Sequence, residues 1–207
     1  MRALHECRLY GIIDLGYIGK SDVASVAEQM IEGGVDLIQL RGKGKSLDEL
    51  AGHAARLHEL TAKSCTPLIV NDHAQIASQL PVEGVHVGQD DDEIEVARHK
   101  ARRAVLIGKS THSIGQALAA QREGADYIGF GPIFATPTKP DYPPIGLTYI
   151  RRVHTEVTLP IFCIGGINID NLQIVLDAGA KRVVMVSALL KAHSIVDYAH
   201  CASDMLA

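Results

Sequence analysis

The sequence predicts a single-domain (β/α)8 barrel, and three observations carry that prediction. Short β-branched runs alternate with longer amphipathic stretches along the whole chain, the signature of a parallel sheet with helical crossovers. The short runs are apolar on both faces, which suits strands covered on each side. The chain has 207 residues, near the floor of roughly 200 for a closed barrel, so residues 1–207 read as one domain. The alternative, an open doubly wound sheet, usually carries GxGxxG after its first strand. Asp14-Leu15-Gly16-Tyr17-Ile18-Gly19 is not that motif.

The expected strands are Leu9–Asp14, Asp36–Leu40, Pro67–Val70, Gly84–Val87, Ala104–Ile107, Tyr127–Phe130, Pro160–Ile164 and Arg182–Val186. Between them, Val23–Glu32 places Val23, Val26, Ala27 and Met30 on one helical face, and Leu47–Ala62 aligns Leu47, Leu50, Ala54, Leu57 and Leu60. The remaining helices are expected at Ala74–Gln79, Asp91–Lys100, Ile114–Glu123, Thr148–Thr155, Asp170–Ala178 and Ala188–Met205. Glycines at 33–34, 124 and 179 sit where helix C-termini favour them. Three junctions, GGVD, GADY and GAKR, each lead from a helix stop into a strand, which fits a repeated unit.

Composition narrows the function. A formal net charge of -4 argues against a nucleic-acid partner while leaving local anion sites open. No apolar run reaches the 18 or so residues of a membrane span, and the N-terminus lacks a signal-peptide pattern. Cys7, Cys65, Cys163 and Cys201 are scattered with no CxxC pair, which suits reduced thiols in a cytoplasmic protein.

Barrel active sites form at the C-terminal strand ends, so the residues after each strand are the candidates. In QLRGK, Gln39, Arg41 and Lys43 alternate on an extended segment and can project together, though a solvated basic turn is an equal reading. Asn71-Asp72 and the GVHVGQDD segment with His86 and Asp91 end neighbouring strands, so two carboxylates can share a hard cation such as Mg2+. Taken singly, Asp72 reads as a helix N-cap and Asp90 to Asp92 as an acidic helix start. Ser110 and His112 follow the fifth strand, and His112 is a possible acid or base. His53, His58 and His154 read as helix-surface residues. The Gly/Pro-rich loop 129–146 carries Thr136, Thr138 and Lys139 and is long enough for a lid or binding loop. Gly165 and Gly166 after the seventh strand, with Val186 and Ser187 after the eighth, fit a phosphate site of glycine amides and a helix start, against ordinary turn glycines and a serine N-cap.

Taken in order, QLRGK, ND, GVHVGQDD, IGKSTH, DYIGFGPIFATPTK, PIFCIGGI and VSALL resemble the thiamine-phosphate synthase (thiamine-phosphate pyrophosphorylase) family from about Leu9 to Leu190. Each piece is weak and the ordered set is specific. The resemblance implies a (β/α)8 transferase of thiamine biosynthesis that uses Mg2+ to join a hydroxymethylpyrimidine diphosphate to a thiazole phosphate, releasing pyrophosphate. It implies pyrimidine contacts at Gln39, Asn71 and His86, and diphosphate contacts at Arg41, Lys43, Ser110 and Lys139. It implies Mg2+ ligands at Asp72 and Asp91, and a thiazole-phosphate site at Thr136, Thr138, Gly165, Gly166, Val186 and Ser187. Lys139 would act electrostatically, and His112 is a weaker catalytic candidate. The implied partners are small phosphorylated substrates, with homo-oligomerisation left open. Two departures stand out: Ile13 replaces the threonine many members carry before the first aspartate, and PTKPDYPP adds prolines and Tyr142. A thiazole tautomerase, a non-catalytic paralogue and a phosphosugar isomerase are the rivals. The complete basic and acidic set favours the synthase.

Overall fold

The computed structural model describes residues 2–19, 22–136 and 142–207. Eight parallel strands close into a barrel in sequence order: β1 (Leu9–Asp14), β2 (Leu37–Arg41), β3 (Leu68–Asn71), β4 (Gly84–Val87), β5 (Leu106–Thr111), β6 (Tyr127–Phe130), β7 (Ile161–Cys163) and β8 (Val183–Met185), with β8 pairing back onto β1. The crossovers are α2 (Val23–Glu32), α3 (Leu47–Lys63), α4 (Ala74–Ala77), α5 (Ile94–Ala101), α6 (Ile114–Arg122), α7 (Ile150–Glu156) and α8 (Ile169–Asp177). A short α1 (Leu15–Ile18) follows β1, and α9 (Ser187–Leu190) and α10 (Ile195–Leu206) follow β8. Among the described residues, no helix is long and apolar enough to cross a membrane.

The repeated junctions have a physical basis. The amide of Val35 donates to the Met30 carbonyl, Ala125 to Ala120 and Ala180 to Val175. The preceding glycines Gly34, Gly124 and Gly179 all have positive φ. This is one helix stop used three times. The next polar residue then seals the barrel floor. Asp36 accepts from the amides of Arg8 and Leu9, and Asp126 accepts from Ile107. Glu83 takes the same role toward Leu68 before β4, while the position matching Asp36 and Asp126 in the junction before β8 is Lys181.

The outward strand faces and the helices form the larger apolar core, which includes Leu40, Leu57, Val70, Val85, Ile107, Val153 and Val183. A second, smaller cluster fills the barrel interior: Tyr10, Ile12, Leu37, Ile69, Tyr127, Phe162 and Val184. Tyr10, Tyr127 and Phe162 pack edge to face with centroids 5.3 to 6.1 Å apart. Gly108 makes room for this packing, because a Cβ there would fall 2.1 Å from Tyr127 Cζ.

Several expected boundaries move. The single C-terminal helix expected over 188–205 divides into α9 and α10, and Ser194 caps α10 by accepting from the Asp197 amide. β5 runs to Thr111, so Ser110 lies on the strand, because its pairing with β6 continues through the Lys109–Ile128 and Ser110–Gly129 registers. α5 begins at Ile94: the Asp91 carboxylate turns back to accept from the Gly88 amide, which keeps residues 88–91 in a turn. β2 ends at Arg41, so the extended alternation reaches Gln39 and Arg41 and stops before Lys43, which lies exposed in a turn. His53, His58 and His154 are half-buried rather than fully on the helix surface.

Candidate active site

A cavity of about 390 Å³ opens at the C-terminal ends of the strands. Its floor is the interior stack. Gln39, one residue pair along β2 from Leu37, projects inward beside Tyr10, and its amide nitrogen donates to Tyr10 Oη at 2.5 Å. Tyr10 Oη and Tyr127 Oη are 3.2 Å apart, Tyr127 Oη lies 3.1 Å from His86 Nδ1, and His86 Nε2 lies 3.0 Å from Ser110 Oγ. Burial pushes both tyrosine hydroxyls well above their ordinary pKa, so they remain protonated donors.

On one side of the mouth, Arg41 pairs with Asp14 across the β1–β2 register. The same aspartate caps α1 by accepting from the Gly16 amide at 2.9 Å. Asp14 thereby fixes the guanidinium while leaving it further donors, since Arg carries five. Asn71 and Asp72 end β3, and Asp72 has φ 62, a left-handed conformation that short polar residues tolerate. The Asp72 amide donates to the His86 carbonyl at 2.8 Å, which ties the end of β3 to β4. It is therefore not a helix cap; His73 precedes α4. The β4 exit is pinned as well: Lys109 Nζ donates to the Gly88 carbonyl and Gln89 Nε2 to the Ser110 carbonyl. Asp91 stands exposed beyond it.

On the other side, Gly165 and Gly166 have φ 102 and 66. A Cβ at Gly165 would fall 2.4 Å from Pro132, and one at Gly166 would fall 2.7 Å from Phe134 Cβ, so both positions require glycine. Val186 precedes α9 without a side-chain cap, so Ser187 begins that helix rather than capping it. The loop entering from β6 is anchored here, with the amides of Ile133 and Phe134 donating to the carbonyls of Ile164 and Gly165. His112 Nδ1 bonds the Gly131 carbonyl, and the His112 ring stacks against Tyr142 at 4.3 Å. Tyr142 in turn donates to Asp90 at 3.1 Å, which ties the far end of the loop to the β4 exit.

The cavity wall thus gathers Gln39, Arg41, Asn71, His86, Ser110, His112, Thr136, Gly165, Gly166, Val186 and Ser187. Lys43, Asp72 and Asp91 follow strand ends but do not line it, and Thr138 and Lys139 lie outside the described residues. Sequence reasoning missed Tyr10, Asn168 and Lys191, all on the wall. Tyr10 was hidden inside an apolar strand, where inward alternation with Ile12 was the available signal. Asn168 forms a capping box with Asn171 at the start of α8. Lys191, whose ammonium sits 4.8 Å from the Tyr17 ring centroid, was concealed inside the expected long helix. Among the described residues, no group of three or more His, Cys, Asp or Glu side chains gathers as a metal cluster.

Residues 9–189 match the family model described as thiamine monophosphate synthase. The chain is 41% identical over 193 residues to thiamine-phosphate synthase of Halalkalibacterium halodurans, covering 93% of this chain and 92% of the relative. It is 42% identical over 191 residues to the enzyme of that name from Chloroflexus aurantiacus, covering 92% and 88%. Its fold is similar to thiamine phosphate pyrophosphorylase from Pyrococcus furiosus, with TM-score 0.89, 32% identity and coverage of 98% and 96%.

Proposed function

The chain belongs to the thiamine monophosphate synthase family, and from that premise we propose that it joins 4-amino-2-methyl-5-hydroxymethylpyrimidine diphosphate to 4-methyl-5-(2-phosphooxyethyl)thiazole, giving thiamine phosphate and pyrophosphate. The observation that carries this reading is one cavity whose wall brings Gln39, Arg41 and Asn71 together with Gly165, Gly166 and Ser187. Gln39, Asn71 and His86 take the pyrimidine. Arg41, Lys43, Ser110 and Lys139 take the diphosphate. Thr136, Thr138, Gly165, Gly166, Val186 and Ser187 take the thiazole phosphate, where the first amides of α9 have no intrahelical partner.

The chemistry these residues support is substitution at the pyrimidine methylene. The carbon–oxygen bond breaks, its electron pair leaves with pyrophosphate, and the thiazole nitrogen supplies the pair for the new carbon–nitrogen bond. Arg41, Lys43 and Lys139 stabilise the charge that accumulates on the departing oxygens. Holding both substrates in one cavity supplies the rest of the acceleration. No protein nucleophile is needed, and His112 is committed to the Gly131 carbonyl at Nδ1. Asp72, directly after β3, and Asp91, in the turn that follows β4, would hold Mg2+. An all-oxygen pair of carboxylates suits a cation that usually takes one or two protein carboxylates and completes its shell with water and phosphate oxygens. When bound, the ion would neutralise diphosphate charge.

The test is chemical. Purified protein with both substrates and Mg2+ should form thiamine phosphate. Failure to form it with any divalent metal, or isomerisation of the thiazole phosphate alone, would overturn the proposal.

A further inference from the structure

The buried chain Gln39–Tyr10–Tyr127–His86–Ser110 spans the barrel interior beneath the cavity. Each hydroxyl in it has one proton, and that fixes how the chain can be connected. Gln39 donates its amide hydrogen to Tyr10 Oη. Were Tyr127 to donate to Tyr10 instead, the buried Tyr10 hydrogen would have no acceptor among the described residues, so Tyr10 donates to Tyr127 and Tyr127 onward to His86 Nδ1. A neutral imidazole accepting at Nδ1 carries its proton on Nε2 and gives it to Ser110 Oγ. The Ser110 hydrogen is left to point into the cavity toward an acceptor.

The reverse direction is equally self-consistent. In that arrangement Ser110 donates to His86 and Tyr10 donates to the Gln39 carbonyl, which turns the Gln39 amino group outward. The two directions therefore present opposite groups at both ends. Gln39 is 2% exposed and Tyr127 fully buried, so a chain whose direction changed midway would strand polar atoms where water cannot repair them, and the chain runs wholly one way or wholly the other.

We propose that this chain runs from Gln39 to Ser110 and that Tyr10 and Tyr127 are positioning residues, which hold the Gln39 carbonyl toward the exocyclic amino group of the pyrimidine and so set the preference for a 4-amino over a 4-oxo ring. The same direction aims the Ser110 hydroxyl hydrogen at an anionic oxygen, so one proton order serves both ends of the pyrimidine diphosphate. A 4-oxo ring presents an acceptor to the Gln39 carbonyl and leaves both unpaired. Gly108 is part of the device, since a side chain there would displace the Tyr127–His86 contact. The proposal rests on the synthase reading.

Two measurements test it, and they separate its failure from failure of that reading. Nitrogen NMR on the ligand-free wild-type protein, with the His86 signal assigned by its loss in His86→Gln, should show a neutral ring protonated at Nε2. A ring protonated at Nδ1 would overturn the proposal whatever the enzyme does. Turnover of the 4-amino and 4-oxo pyrimidine diphosphates should then be compared with Mg2+ and thiazole phosphate. The wild type should favour the amino compound in kcat/KM by about a hundredfold or more, as sites that hydrogen-bond a substrate group do. Tyr10→Phe should narrow that ratio about tenfold, chiefly by raising KM for the amino substrate, because the contact exists before the chemical step. Tyr127→Phe should narrow it likewise and serves as the second variant if the first folds poorly. An unchanged ratio in both variants would refute the positioning role. Absence of product from the wild type with the amino substrate would sink the synthase reading and leave the tautomer to decide the chain's direction.

Discussion

Gly108→Ala adds one methyl group at the most crowded point of the barrel interior. Its carbon would fall 2.1 Å from Tyr127 Cζ, 2.5 Å from Tyr127 Oη and 2.5 Å from His86 Nδ1. Neither neighbour can retreat freely. Tyr127 is wedged edge to face against Tyr10 and Phe162, and His86 is hydrogen-bonded at both ring nitrogens. Overpacking of a tight core costs about 1–3 kcal/mol. Parting Tyr127 from His86 leaves buried polar atoms unpaired at about 1–3 kcal/mol more. The alanine recovers about 0.5–1 kcal/mol of the backbone entropy that glycine loses on folding. The expected net loss is about 1–5.5 kcal/mol, or about 2–22 °C in Tm for a domain of this size. Urea and thermal unfolding would read it. Gly52→Ala is the internal control: it lies on α3 with nothing within 4 Å of the added carbon, and should gain up to about 1 kcal/mol from helix propensity. A Gly108→Ala protein as stable as wild type would refute the crowded interior and remove the steric basis of the polar chain.

Other consequences are equally open to measurement. Lys139→Ala and Lys139→Gln should slow single-turnover chemistry about a hundred- to a thousandfold, the usual loss for one electrostatic donor, while thiazole-phosphate affinity stays nearly constant; the opposite pattern would move Lys139 to the other anion site. His154 is held down to about 4 from 6.5, by burial first and by Lys181 and Arg182 second. The unfolded chain therefore binds this proton more tightly, and stability should fall as pH drops from about 6.5 toward 4, by on the order of 1–2 kcal/mol after solvent screening. His154→Leu should flatten that part of the unfolding profile, and an unchanged profile would contradict the assignment. Burial pushes the Cys7 thiol up to about 11 and Cys163 up to about 12, whereas Cys65 and Cys201 are exposed. A thiol reagent at neutral pH should label the latter two in the folded protein, and the former two only after unfolding.

The barrel was legible because its signals are local and repeated. β1, β4, β6 and α2 fall on their expected bounds, since apolar strand runs and glycine stops mark them directly. β5 lies further along than the apolar run Ala104–Ile107, because Gly108, Lys109 and Ser110 carry no apolar signal of a buried strand. Only the surrounding strands make a glycine useful there and give Lys109 the Gly88 carbonyl. The break between α9 and α10 was missed because apolar periodicity continues across it, although the Ser194–Asp197 cap was available. At the site, residues after strand ends were legible as single candidates, and Gln39, His86, Ser110 and Gly166 do meet at one cavity. Tyr10 and Tyr127 were not legible as polar residues. Which way a phenol points inside a closed barrel depends on register across four strands, and that is a property of the fold rather than of a segment. Asp14 as the partner of Arg41 was hidden for the same reason: the pair exists only because β1 and β2 place those two residues side by side.

The most direct test of the account is a structure of the protein with thiamine phosphate, pyrophosphate and Mg2+ bound. Pyrophosphate should lie beside Arg41 and Ser110, the ion should be held by Asp72 and Asp91, and the thiamine phosphate group should rest on the amides of Gly166 and Ser187. The pyrimidine amino group should lie at the Gln39 carbonyl. A metal remote from both aspartates, or the two phosphate groups on exchanged sides of the cavity, would contradict it.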